Sequence, residues 1–154
     1  MPMKEKTFIT PSAADTRALG EKLGRILPAN SLLTLSGQLG AGKTTFTQGL
    51  AKGMGIEKKV TSPTFTMLKI YKGRLPLYHI DAYRLEDIDQ DLGFEEYIDS
   101  DGVCVIEWSD FISGILPEER LGIDLQILED DSRELRFTAV GEKYERLLEE
   151  LCTL

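Results

Sequence analysis

The stretch GQLGAGKTTF, residues 37–46, decides the reading of this chain. It opens with the pattern G-x-x-x-x-G-K-[ST], in which glycines let the backbone curl tightly enough for several N–H groups to point inward. The pattern carries chemical meaning only between a strand and a helix. Both flanks comply. Residues 31–36, with Leu32, Leu33 and Leu35, read as a short buried strand, and residues 43–52 as a helix closed by Gly53 and Gly55. A helix starting near Lys43 adds its positive N-terminal end, so the segment is a cradle for the phosphates of a nucleotide.

Each residue type in the cradle has a role that its chemistry suggests. Leu39, Gly40, Ala41 and Gly42 supply the curled backbone, and Lys43 reaches the β- and γ-phosphates as a point charge. The Thr44 hydroxyl suits one position of an octahedral magnesium ion, and Thr45 a contact to the α-phosphate. Magnesium and an attacking water also need a carboxylate at the end of a neighbouring strand. Two are on offer: Asp81 in LYHIDAYRL, residues 77–85, and Glu107 in VCVIEW, residues 103–108. Glu107 is the cleaner candidate, because it ends an almost wholly apolar run expected of a central strand covered on both faces. His79 shares an alternation face with Asp81 and reads as a hydrogen-bonded sheet residue rather than a base.

Outward from this segment, Thr10 as N-cap and Pro11 at the first helical position open a helix whose Leu19, Leu23, Ile26 and Leu27 face a core. Residues 64–71 and 74–83 form a hairpin about Lys72 and Gly73, and the acidic stretch 86–100 reads as short helices. Residues 121–128 and 134–140 form a second hairpin, and Tyr144, Leu147, Leu148 and Leu151 give the last helix its stripe. The expectation is one α/β domain over residues 1–154: a three-layer P-loop NTPase-like fold with a mixed sheet, parallel near the loop and antiparallel at the hairpins.

Composition agrees, with 42% apolar and 29% charged residues in 154, the values of an ordinary globular chain. No apolar run approaches a membrane span and the N-terminus lacks a secretory h-region, so the cytoplasm is the expected address, with no membrane partner. Cys104 and Cys152 have neither metal-ligand spacing nor a disulfide pattern and read as free thiols, Cys104 buried. The net charge of −8 hides a split: 12 Lys+Arg against 4 Asp+Glu in residues 1–77, and 6 against 22 in residues 78–154. Either phosphates are drawn to the first half and basic partners to the second, or the two are solvated faces that average out in the fold. Lys58, Lys59, Lys69, Lys72 and Arg74 form a local basic cluster that is either a solvated face, for want of aromatic interleaving, or a contact to RNA or an acidic partner.

The ordered set GQLGAGKTTF, TSPTF (61–65), LYHIDAYRL with DLGFEEY (91–97) following, and IEW (106–108) resembles the TsaE family over nearly the whole chain. That resemblance implies a small ATPase, dependent on magnesium and slow alone. It implies work with two protein partners of the threonylcarbamoyl-transfer complex, and with tRNA contacted directly or through them. Their joint product would be threonylcarbamoyl on adenosine next to the anticodon of tRNAs reading A-starting codons. The resemblance further implies that Thr61 lies near the γ-phosphate in a switch-like loop, that Asp81 and Glu107 organise magnesium and water, and that adenine lies near Thr10 and Ser12. One departure is the run Ser109, Asp110, Phe111 after Trp108, where family members often carry a small residue, an acid and a basic or polar residue.

Two other classes fit a P-loop. A small-molecule or nucleoside kinase would carry an Arg-rich lid, but Arg84, Arg120, Arg133, Arg136 and Arg146 are scattered. A nucleotide-dependent binding switch, as in GTPases, would carry an N-K-x-D signature, which is absent.

Overall fold

The computed structural model describes residues 3–37, 40–60, 68–81, 95–98, 100–107 and 116–154. Among these residues seven strands form one sheet: β1 (Met3–Thr10), β2 (Ser31–Gly37), β3 (Leu68–Tyr71), β4 (Leu77–Asp81), β5 (Val103–Glu107), β6 (Arg120–Ile127) and β7 (Arg133–Val140). Their order is β1-β7-β6-β2-β5-β4-β3. The β2–β5, β2–β6 and β4–β5 pairs are parallel, and the hairpin pairs β3–β4 and β6–β7 are antiparallel, as is β1–β7. This is the mixed sheet expected, parallel around the strand that precedes the glycine loop.

Among the described residues four helices cover the sheet: α1 (Ala13–Ile26), α2 (Lys43–Gly53), α3 (Glu95–Ile98) and α4 (Glu142–Cys152). Leu33 and Leu35 of β2, Val103 and Val105 of β5, and Leu121, Ile123 and Leu125 of β6 pack with α1, α2 and α4 in the main core. The alternate residues Leu32, Ile80, Cys104 and Ile106 point the other way and meet Ile98 of α3. Helices therefore stand on both faces, which makes three layers. All five residues of β5 are buried, which is why that strand reads as a continuous apolar run.

The α1–α2 contact is set by glycines four residues apart on each helix. A Cβ on Gly20 or Gly24 would fall 2.4 Å from Phe46 O or 2.1 Å from Leu50 O. One on Gly49 or Gly53 would fall 2.0 Å from Arg17 O or 2.2 Å from Glu21 O. The two backbones touch directly, so the N-termini of α1 and α2 are held side by side at one edge of the site.

The second strand of the first hairpin, expected from residue 74, begins at Leu77, and two further boundaries differ from expectation. Residues 3–10 form β1, although their sequence alternation is weak; as an edge strand, β1 buries little beyond Phe8 and Thr10 and so carries little apolar signal. Thr10 pairs with Arg133 as the last residue of β1, and the N-cap of α1 is Ser12, whose Oγ accepts from Asp15 N at 3.2 Å. Strand pairing thus takes Thr10 away from the helix. In the basic cluster, the Arg74 guanidinium donates to Gly24 O at 2.8 Å and Leu27 O at 3.1 Å, closing the C-terminal end of α1. The remainder of the expected hairpin and acidic helices, with TSPTF, Arg84 and Trp108, lies outside the described residues.

Candidate functional site

The glycine loop follows β2 at the carboxyl end of a parallel set of four strands, β4, β5, β2 and β6, where open α/β sheets hold their ligands. Gly40 and Gly42 have φ of +81° and +104°, a left-handed conformation that L side chains rarely adopt. A Cβ at Gly40 would meet nothing within 4 Å, so its side of the loop is open space. Ala41 is buried beneath it. Gly42 is the N-cap of α2 and its carbonyl accepts from Phe46 N at 2.8 Å. Among the described residues no side chain caps this helix, and its first turn holds no acid, so the N–H groups at its start and its dipole are available to an anion. Thr44 and Thr45, both half-buried, lie in that first turn. Gln38 and Leu39 lie outside the described residues.

Lys43 is buried, and its Nζ donates to Gly37 O at 3.0 Å across the base of the loop. Burial draws its ammonium below the usual lysine value of 10.5, opposed by the negative charges of Glu107, Asp124 and Asp81. Those carboxylates come from three strands. Register sets Glu107 of β5 beside Leu35 of β2 and Asp81 of β4, so the two predicted acids are neighbours at adjacent strand ends, both buried. Asp124 of β6 accepts from Ser36 Oγ at 3.0 Å and from Gln126 Nε2 at 2.9 Å. Glu107 Oε2 lies 3.0 Å from His79 Nε2, in a pair closed off from solvent.

A cleft of about 110 Å³ opens beside the loop, between Ser12, Ala13 and Thr16 of the α1 start, Gly40, Gly42 and Thr45, and Asp131 and Arg133 of the β6–β7 hairpin. Ser12 therefore does lie beside the cradle. Thr10 sits behind it, buried, with its hydroxyl 2.6 Å from that of Thr16. Thr61 lies outside the described residues. Sequence reasoning did not foresee Asp124, Asp131 or Arg133, because nothing in their spacing marks a hairpin turn that folds back onto a loop some 90 residues earlier.

A mixed sheet with a glycine loop leading from its central parallel strand into a helix is the architecture of the P-loop α/β class. Within that class the chain belongs to the TsaE family, whose sequence profile, described as "Threonylcarbamoyl adenosine biosynthesis protein TsaE", matches residues 10–135. A Bacillus subtilis (strain 168) protein named tRNA threonylcarbamoyladenosine biosynthesis protein TsaE is 49% identical over 150 residues, covering 97% of this chain and 95% of that one. The protein of the same name from Treponema pallidum (strain Nichols) is 46% identical over 129 residues, 82% of this chain and 96% of that one. The crystal structure of Bacillus subtilis YdiB superposes with a TM-score of 0.88 at 43% identity, covering 99% of this chain and 97% of that one.

Among the described residues no helix is long and apolar enough to cross a membrane. Nor do three or more His, Cys, Asp or Glu side chains there form a group that could hold a metal on their own. A site with one or two carboxylates, a hydroxyl and ligand oxygens suits magnesium better than a metal that needs an all-protein cage.

Proposed function

We propose that this protein binds and hydrolyses ATP with magnesium, and that its nucleotide state gates its interaction with two protein partners. Together they would install threonylcarbamoyl on adenosine next to the anticodon in tRNAs reading A-starting codons. The biosynthetic role rests on family membership and on the names of the relatives. The ATPase reading rests on one observation: Lys43, at the foot of an uncapped helix, lies within the field of two buried carboxylates on adjacent parallel strands.

In this reading the N–H groups of the loop and of the first turn of α2 bind the phosphates, and Lys43 offsets charge on the β- and γ-phosphates. The residues present fit a magnesium ion, which Thr44 and Glu107, assisted by Asp81, would hold. When bound, the ion would supply positive charge that offsets the negative charge developing on the transferred phosphoryl group. Glu107 and Asp81 also orient the attacking water, with Thr61 expected near the γ-phosphate. Ser12 and the Asp131–Arg133 turn line the cleft that suits the base and ribose.

The test is ATP turnover with and without magnesium, by the protein alone and with the two partner proteins and tRNA. Turnover that needs magnesium and rises with partners is expected. Lys43→Ala should lower it by roughly 100-fold or more, the cost of removing one electrostatic donor. Unchanged turnover in that variant would overturn the assignment of the site.

A further inference from the structure

His79 is the only histidine of the chain, and it is wholly buried. Its Nε2 lies 3.0 Å from Glu107 Oε2, while Nδ1 has no hydrogen-bond partner among the described residues. Leu77 on the same face of β4 and Val105, the neighbour of His79 on β5, are both buried in the main core, so an apolar side chain at position 79 would pack there. Replacing a buried polar pair with apolar groups of similar shape is often neutral or stabilising. Stability therefore does not account for the pair, although with Glu107 in place the imidazole is its buried partner.

Its geometry does. A carboxylate only accepts hydrogen bonds, so Nε2–H is the donor and Oε2 is committed to it. A glutamate at a strand end otherwise has three rotatable bonds, and its head could swing among rotamers. With Oε2 tied back to β4, Oε1 remains for the loop side. There, Glu107 leads the carboxylates acting on Lys43.

We infer that His79 is a positioning residue, holding the Glu107 carboxylate in the one orientation that presents its second oxygen to the triphosphate end of the glycine-loop site. This rests on the ATPase reading above. A misplacement of about 1 Å at a reacting group can cost on the order of 100-fold in rate while leaving binding nearly intact.

Two variants and one spectrum test it. His79→Leu fills the space without a donor, and His79→Gln carries an N–H at the same depth as Nε2. For each, kcat and KM are measured in the partner-stimulated assay, with affinity for a fluorescent ATP analogue and the thermal unfolding midpoint. His79→Leu is expected to lower kcat roughly 10- to 100-fold, with affinity held within about 3-fold, and His79→Gln to recover most of the loss. Wild-type kcat in His79→Leu, or no recovery in His79→Gln, overturns the inference.

Because there is one imidazole, its ring N–H gives a single assignable NMR signal in protein labelled at histidine. A slowly exchanging Nε2–H signal that disappears in Glu107→Ala is expected. Its persistence in Glu107→Ala overturns the hydrogen bond. If the wild type shows no turnover, the ATPase reading fails on its own, and this spectrum still decides whether His79 holds Glu107.

Discussion

Gly49→Ala separates two physical expectations of opposite sign. Gly49 lies inside α2, where exchanging glycine for alanine ordinarily stabilises by about 1 kcal/mol through helix propensity. Here the added methyl would lie 2.0 Å from Arg17 O of α1, whereas ordinary contact begins at 3.4 Å. The helices must part by about 1.4 Å, and the same shift loosens the contacts at Gly20, Gly24 and Gly53. Overpacking of this kind costs about 1–3 kcal/mol, and because it propagates along the whole helix pair the upper end applies. Less the propensity gain, the net loss is about 2 kcal/mol, which lowers the unfolding midpoint by roughly 4–8 °C in a chain of this size. Thermal unfolding followed by circular dichroism reads it directly. A midpoint equal to or above wild type would refute the direct backbone contact. Gly24→Ala, whose methyl would meet Leu50 O at 2.1 Å, should behave alike. The double variant should lose less than the sum, since helices already parted admit the second methyl.

Tyr144 Oη accepts from the buried Leu32 N–H at 2.9 Å, so Tyr144→Phe leaves that donor unpaired and should cost about 1–3 kcal/mol in urea unfolding. Arg74→Met removes the partner of two α1 carbonyls; because the side chain is largely exposed, the loss should be only about 1 kcal/mol. Burial pushes the Cys104 thiol up to about 12 from its ordinary 9.0, so a thiol reagent at pH 8 should label Cys152 alone in the native protein and both cysteines after denaturation. The same burial has a stability consequence of definite sign. Between pH 9.0 and about 12 the folded protein binds the Cys104 proton that the unfolded chain releases. Its contribution, complete below pH 9.0, therefore falls by at most roughly 1.4 kcal/mol per pH unit as the pH rises, and Cys104→Ala should flatten that alkaline slope.

Much of the fold was legible because its signals are local. The glycines at 40 and 42, the lysine and hydroxyls behind them, the continuous apolar run of β5 and the heptad-like stripe of α4 each state a backbone or burial demand within a few residues. Glu107 and Asp81 were readable as strand-end acids for the same reason. By itself, then, the sequence determined the strand–loop–helix, the mixed character of the sheet and the family. Only the tertiary structure decided the rest. It paired β1 with β7 and so moved the start of α1 from Thr10 to Ser12. It brought Asp131 and Arg133 to the wall of the cleft, pressed Gly20 and Gly24 against α2, and joined His79 to Glu107. Each of these is a contact between residues distant in the chain, fixed by strand register and helix approach, and no local pattern of side chains encodes either.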